Sequence, residues 1–328
     1  MSENKFDFSE LNMSEDELFS RINHDELESE KITAPRYSYW QSVFRVFFKK
    51  KINIIVLSIL AVLLIFTYVY PAVIHYDADV DPYINLMDSA AKHLNPEQAM
   101  AKFGKNIHWI LGSGASGQST FDAIWYGSSI SVSMALVCAL INMTVGVVIG
   151  AVWGFSKKFD IIMTEVYNVI ANIPYILLIS VIVLIMSASF WSMVFALTVT
   201  GWMAIAYFIR TQVIIIRDRE YNLASRCLGT GLWRILTKNI FPYLISVIVL
   251  RLALSIPGII AYETTLSYLG LLDITTPSLG ILLRDARSNF LEYPYLLVFP
   301  AAIVSLITVT FYLVGNAFSD ACDPRNHV

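Results

Sequence analysis

Residues 130–155 read ISVSMALVCALINMTVGVVIGAVWGF, 26 residues without a charge. A helix needs about 20 predominantly apolar residues to cross the hydrocarbon core of a bilayer, so this stretch predicts a membrane span. The composition of the whole chain agrees. Of 328 residues, 56% are hydrophobic and 15% are charged, and mean hydropathy is +0.60. Soluble domains carry about 45–50% apolar and about 25% charged residues. A soluble enzyme is excluded on both counts.

Five further stretches meet the same criterion on either side of the first. Residues 52–71, 190–209 and 296–314 are uncharged. Residues 164–186 are apolar apart from Glu165, and residues 241–261 hold one charge, Arg251. The chain therefore reads as an all-α integral membrane protein with six transmembrane helices. Lys and Arg in the connecting segments set the orientation. With the N-terminus in the cytoplasm, segments 36–51, 155–160, 210–240 and 317–328 lie inside and hold fourteen Lys and Arg. Segments 74–127 and 264–292 lie outside and hold five. Both termini are expected to be cytoplasmic, which suits an even number of spans.

The formal charge of −3 is a sum of unlike parts. Residues 1–35 hold ten acids and three bases, whereas the remainder holds sixteen acids and twenty bases. An acidic segment with few aromatics predicts a disordered or loosely helical cytoplasmic tail, and it shows no apolar region of a signal peptide. It gives no support for a nucleic-acid partner, which would call for a concentrated basic face. Residues 36–51, RYSYWQSVFRVFFKKK, place Trp40, Phe44, Phe47 and Phe48 on one helical face beside five bases. That pattern suits a helix lying in the headgroup plane of the bilayer. Residues 72–127 form an extracytoplasmic loop long enough for a small subdomain.

No catalytic site or metal site emerges. Cys138, Cys227 and Cys322 are far apart and odd in number, so they form neither a disulfide framework nor a zinc spacing. The five histidines do not cluster. Gly112–Gly117 matches G-x-G-x-x-G, but it lies in an outer loop ahead of a membrane helix, with no acid at the required distance, so it reads as a turn. No P-loop motif occurs, so the chain is not expected to bind ATP itself.

The informative loop is Arg217 to Pro242, RDREYNLASRCLGTGLWRILTKNIFP. Asp218 suits an N-cap and Glu220 the first turn of a helix. Gly229 stands where a left-handed cap would end it. A second short helix is expected over residues 232–239, with Pro242 opening the fifth span. Tyr221, Ala224 and Leu228 share one face. That face is either an ordinary amphipathic surface or a docking element for a cytoplasmic partner.

This loop resembles the coupling loop of ABC-importer permease subunits: an E-A-A triplet, a glycine four residues later and a proline thirteen residues after that. Here Leu223, Ala224 and Ser225 occupy the triplet, followed by Gly229 and Pro242 at that spacing. The glutamate is absent, and Phe241 replaces a leucine. One branch, the oligopeptide and dipeptide permeases, is similar over about residues 36–325. Glu220-Tyr221, Trp233-Arg234-Ile235, Leu266-Ser267-Tyr268-Leu269-Gly270, Pro277-Ser278-Leu279-Gly280 and Asp320-Ala321-Cys322-Asp323-Pro324-Arg325 carry the similarity. Gly114, Asn316 and Arg251 depart from it.

The resemblance implies a type I ABC importer transmembrane core over residues 128–316, with the coupling loop at 217–242. It implies a bacterial plasma membrane location and a non-enzymatic role. The implied partners are a second homologous permease subunit, two cytoplasmic ATPase subunits that bind the ATP and Mg, and an extracytoplasmic peptide-binding protein. Carried over residue by residue, Glu220, Tyr221, Ala224, Ser225, Gly229 and Arg234 would belong to the coupling region. Arg251, costly inside a span, is expected to line the path or to pair with an acid of the partner permease, with a snorkelled or structural pair as the alternative. Glu263, the other pathway candidate, is expected near the outer end of its span, contacting the binding protein or facing water. Pro174, Pro257 and Gly258 are candidate hinges, with static kinks as the alternative. The competing readings are a nickel permease of the same architecture and a self-sufficient secondary transporter. The second lacks the buried carboxylate relay that proton-driven carriers use.

Overall fold

The computed structural model describes residues 39–74, 91–186, 189–271 and 278–323. The acidic tail 1–35, part of the outer loop, Pro277 and the last five residues lie outside them. Contacts divide the chain after Gln41. Of the first unit only Tyr39–Gln41 are described, with the Tyr39 and Trp40 rings edge to face at 5.4 Å.

Regular structure among the described residues is helical, apart from one bridge between Ser113 and Ser119. The elements are α1 (Tyr39–Lys49), α2 (Lys51–Ile74), α3 (Pro96–Phe103), a 3-10 turn (Ile107–Trp109) and α4 (Thr120–Phe155). Then come α5 (Lys157–Ala171), α6 (Tyr175–Met186), α7 (Phe190–Val199), α8 (Gly201–Arg217) and α9 (Glu220–Cys227). The last are α10 (Leu232–Arg234), a π-helical turn (Ile235–Ile240), α11 (Phe241–Tyr268), α12 (Leu279–Arg287) and α13 (Tyr295–Cys322).

Four stretches cross as expected but run longer: α2, α4, α13, and the rod Leu232–Tyr268. At 1.5 Å per residue, the 36 residues of α4 span roughly 54 Å. That exceeds the ~30 Å hydrocarbon core, so α4 projects beyond it. The third span departs from the single helix expected. It is the pair α5 and α6, bent by 80° at residues 172–174, because Pro174 has no N–H to continue the ladder. The fourth is α7 and α8, interrupted at Thr200 (φ −125°, ψ −9°).

The fifth also differs from expectation. No loop separates a short helix 232–239 from the span. Instead α10 runs through the π turn into α11. A π turn shifts the hydrogen-bond register by one residue, and this one accommodates Pro242 without ending the helix.

The membrane-surface segment also resolves differently in part. Phe47 turns inward (2% exposed), whereas Phe44 and Phe48 stay exposed. Phe44 and Phe47 pack edge-on against Phe318 of α13, at 6.2 and 5.7 Å. Asn53 closes the junction with α2 by donating Nδ2 to the Phe47 carbonyl at 3.0 Å.

Two apolar clusters fill the bundle. One gathers Ile124, Met134, Ile179, Met193, Leu197 and Ile260. The other lies beneath the loop 217–242 and gathers Val147, Ile209, Val213, Ile235, Ile240 and Leu244. In lipid, helices are held by close van der Waals packing, which small residues permit. Gly146, Gly150 and Gly154 form such a seam along α4. A Cβ at these positions would lie within 3.0 Å of α8 atoms of Ile205, Ala206 and Val213 respectively.

Candidate functional site

The inner end of the bundle carries the loop 217–242, and a small set of polar side chains fixes its geometry. Asp218 is not the N-cap of α9. Arg219 takes that place, and Asp218 caps the end of α8. Its carboxylate is needed elsewhere: Arg217 grips it with Nε at 2.9 Å and Nη2 at 3.0 Å. This pairing holds the Asp218 carboxyl below the ordinary carboxylate range. The remaining Arg217 nitrogen, Nη1, donates to the Gly154 carbonyl at 2.8 Å, tying α8 to the end of α4.

Glu220 stands in the first turn of α9, where a negative charge meets the positive end of the helix. The far end closes on Gly229 at φ +76°. The Gly229 N–H donates to the Arg226 carbonyl at 2.9 Å, and the Thr230 N–H to Ser225 at 3.0 Å. These two bonds are the paired C-terminal cap that glycine makes possible.

Asn222 is the hub, and the sequence reading missed it. It is fully buried. Its Nδ2 donates to the Ile216 carbonyl of α8 at 2.9 Å, and its Oδ1 accepts from Asn239 Nδ2 in the π turn at 3.0 Å. One side chain thus joins α8, α9 and the base of α11. A polar residue on the inward side of a helix otherwise rich in surface residues was the available signal. Arg226 adds a further tie, with its guanidinium 4.4 Å from the centre of the Phe155 ring.

With that anchorage inward, the expected face points out. Tyr221, Ala224, Leu228, Gly229 and Arg234 are exposed, and Ser225 is half-buried. Leu228 is 86% exposed and Trp233 is 62% exposed. These are large apolar side chains left in the open on a rigid element.

Beside the loop, Arg210 of α8 binds Asp160 of α5 through Nε at 2.5 Å and Nη2 at 3.1 Å. The guanidinium lies 5.6 Å from the ring centres of both Trp153 and Tyr207. The bases that marked this side as inner in the sequence therefore also lock α4, α5 and α8 together.

The other candidates lie apart from the loop. Arg251 is on the exposed side of α11, stacked 3.7 Å from the centre of the Phe208 ring, and forms no ion pair among the described residues. Glu263 is open neither to water nor to a binding protein. It is fully buried and accepts from Ser278 Oγ at 2.6 Å, Ser131 Oγ at 3.0 Å and Ser267 Oγ at 3.2 Å. A buried carboxyl requires such partners. It joins α11 to α4 and to the start of α12, which is a structural position rather than a contact surface. Pro174 sits at the 80° break. Pro257 and Gly258 lie inside an uninterrupted α11. The Gly112–Gly117 segment is a tight turn with positive φ at both of those glycines, closed by the Ser113–Ser119 bridge.

Comparison with known proteins agrees with this architecture. Residues 146–328 match the family of binding-protein-dependent transport system inner membrane components. Residues 38–96 match the N-terminal TM domain of oligopeptide transport permease C. The chain is 40% identical to the oligopeptide transport system permease protein AmiD of Streptococcus pneumoniae, over 95% of this chain and 98% of that protein. It is 31% identical to the dipeptide transport system permease protein DppC of Bacillus subtilis, over 96% and 94%. It is 27% identical to the glutathione transport system permease protein GsiD of Pectobacterium atrosepticum, over 91% and 94%. The chain belongs to the binding-protein-dependent transport system inner membrane component family, as a multi-pass permease of the bacterial plasma membrane with the type I ABC importer transmembrane fold.

Proposed function

We propose that the chain is the permease subunit of an ATP-driven peptide importer, supplying half of the translocation path and coupling it to cytoplasmic ATPase subunits. The observation that carries this reading is the exposed Tyr221, Ala224 and Leu228 face on α9, a helix that Asn222 fixes to both α8 and the base of α11. A load-transmitting surface needs that combination: free outside, rigid inside. The similarity to oligopeptide and dipeptide permeases supports the substrate class.

The complex holds this chain, a second homologous permease, two ATPases that bind ATP and Mg, and an extracytoplasmic peptide-binding protein. ATP closes the ATPases, and the docked α9 moves with them. The balance between inward-open and outward-open states shifts by the difference in affinity between the two. The Pro174 break and Pro257, inside the continuous α11, are the proposed hinges.

Ala224→Glu tests the docking role, because the exposed position accepts the larger side chain without disturbing the bundle. Gly229→Asp tests the cap. Co-purified ATPase and peptide uptake are both expected to fall by about 10-fold or more, as when a charge is buried unpaired at an interface. Unchanged ATPase binding and uptake would remove the docking role. Uptake of labelled di- to oligopeptides, compared with Ni²⁺, in a strain lacking this chain tests the substrate. Loss of Ni²⁺ uptake alone would replace peptide with nickel.

A further inference from the structure

The two helix interruptions face a common space. The bend between α5 and α6 and the break at Thr200 both border a cavity of about 390 Å³. This volume lies within the ~300–1,000 Å³ range of small-ligand sites. Non-helical backbone at membrane depth is tolerated only where protein buries it or where it borders a wet cavity. Two breaks from different spans at one cavity are therefore a built feature. Asn142 of α4, Tyr175 of α6, Thr200, and Ser255, Gly258 and Tyr262 of α11 supply its chemistry. Among the described residues the lining holds no Lys, Arg, Asp or Glu.

Two polar atoms at this cavity are unsatisfied. Asn142 is 4% exposed. Its Nδ2 donates to the Leu197 carbonyl at 3.3 Å, which leaves Oδ1 buried without a partner. Thr200 Oγ1 is also buried without a partner. Buried polar atoms in folded proteins are nearly always bonded, and these two reach a partner outside the chain only when their side chains turn from their buried positions toward the cavity they line. An amide oxygen needs a donor, and a hydroxyl can donate or accept. A peptide main chain offers both within one residue.

Gly258 adds an independent observation. A Cβ there would meet nothing within 4 Å, so close packing is not what requires glycine. The absent side chain leaves open space in the cavity.

We propose that this cavity is a passage subsite for an uncharged residue of the transported peptide. Asn142 and Thr200 take its main-chain polar groups, and Gly258 leaves room for its side chain. This rests on the peptide-importer reading and assigns the subsite within it. It also gives Gly258 a role other than that of a hinge.

The test uses the complete transporter in cells lacking the chromosomal copy of this chain. Uptake of a peptide made only of Gly and Ala is compared with that of a peptide of equal length containing Leu or Trp. The binding protein is unchanged between strains, so its own preference cancels in the comparison. Gly258→Leu is expected to lower uptake of the bulky peptide about 10-fold relative to the small one, the scale on which a filled pocket rejects excess volume. Equal loss for both peptides would assign Gly258 to a hinge, and no loss would place the path elsewhere; either result overturns the proposal. A wild-type chain that imports neither peptide would overturn the importer reading itself, and the subsite with it.

If Gly258→Leu does not assemble, Gly258→Cys adds only a thiol to open space. Its alkylation by a small neutral reagent, read at residue 258 by mass spectrometry, is expected to slow when the loaded binding protein and ATP are supplied. A rate indifferent to peptide would overturn the subsite.

Discussion

Gly150→Ala tests whether the α4–α8 seam holds the bundle. A methyl group at Gly150 would lie 2.4 Å from the Ala206 carbonyl oxygen and 2.9 Å from both Ala206 Cα and Ile209 Cβ, where ordinary contact begins near 3.4 Å. The first two obstacles are backbone, so no rotamer change relieves them. The two helices must part locally by roughly 1 Å, a gap that forfeits a quarter to a half of each nearby dispersion contact. Gly146 and Gly154 lie one turn away on either side and share the loss, because they face α8 at comparable distances. Overpacking of this kind costs about 1–3 kcal/mol. The backbone obstruction places Gly150→Ala at the upper end, about 3 kcal/mol, or roughly two orders of magnitude in the folding equilibrium. Unfolding of the purified chain in mixed detergent–SDS micelles, followed by tryptophan fluorescence, measures it. Gly258→Ala is the control: its Cβ meets nothing, and alanine within a helix gains about 0.5–1 kcal/mol over glycine. A Gly150→Ala chain as stable as Gly258→Ala would refute the seam.

Glu263→Leu deprives Ser131, Ser267 and Ser278 of their common acceptor. At about 1–3 kcal/mol per stranded buried group, it is expected to cost several kcal/mol and to raise hydrogen exchange in α12; unchanged exchange there would refute the anchoring role. Glu263→Gln keeps the shape and one acceptor, and is expected to fall between Leu and wild type in the same measurement. Arg210→Lys retains the charge but loses the fork that holds Asp160. It is expected to shift Trp153 emission and to cost about 1–2 kcal/mol, with an unaltered spectrum as the contrary result. Cys227 is exposed, whereas Cys138 and Cys322 are buried. Maleimide labelling of inside-out vesicles is therefore expected at Cys227 alone, and labelling only from the outer face would invert the topology.

Span positions were legible in the sequence because the bilayer imposes one requirement, about 20 apolar residues, that leaves an unambiguous mark. Interruptions inside spans leave a weaker one. Pro174 signalled a bend, but nothing in the apolar run 190–209 marked Thr200, because a threonine in a helix break resembles a threonine in a helix. The loop 217–242 was legible at Gly229, where the left-handed cap admits few residues other than glycine. It was misread at Asp218, because an aspartate suits both an N-cap and an arginine partner, and the Arg217 that decides between them is its immediate neighbour. Glu263 was misplaced for a related reason. Three serines from three parts of the chain surround it, two of them distant in sequence, so the sequence showed the charge without the shell that buries it. The glycine seam was present as G-x-x-x-G-x-x-x-G over residues 146–154, in a span where small residues at that spacing admit a neighbouring helix.

These parts form one mechanical path in the proposed importer. The α8 helix begins beside Thr200, at the cavity, and ends at Arg217, which holds the coupling loop. Its 17 residues span roughly 25 Å. The α11 helix leaves the same loop through the π turn and reaches the same cavity at Gly258. Asn222 binds both roots, through Ile216 and Asn239. A displacement of α9 therefore cannot move one helix and spare the other. The glycine seam then decides what α8 can do, because backbone-to-backbone packing against α4 resists separation far more than sliding along the seam. In the proposed importer, a push at the inner face is accordingly delivered along α8 and α11 to the cavity that both line. In this arrangement the residues that read the substrate need not touch the motor, and the coupling face need not resemble the path. The rigid connections at Asn222 and Gly150 are the positions whose substitution is expected to uncouple ATP turnover from uptake, read as ATPase activity retained while peptide uptake falls.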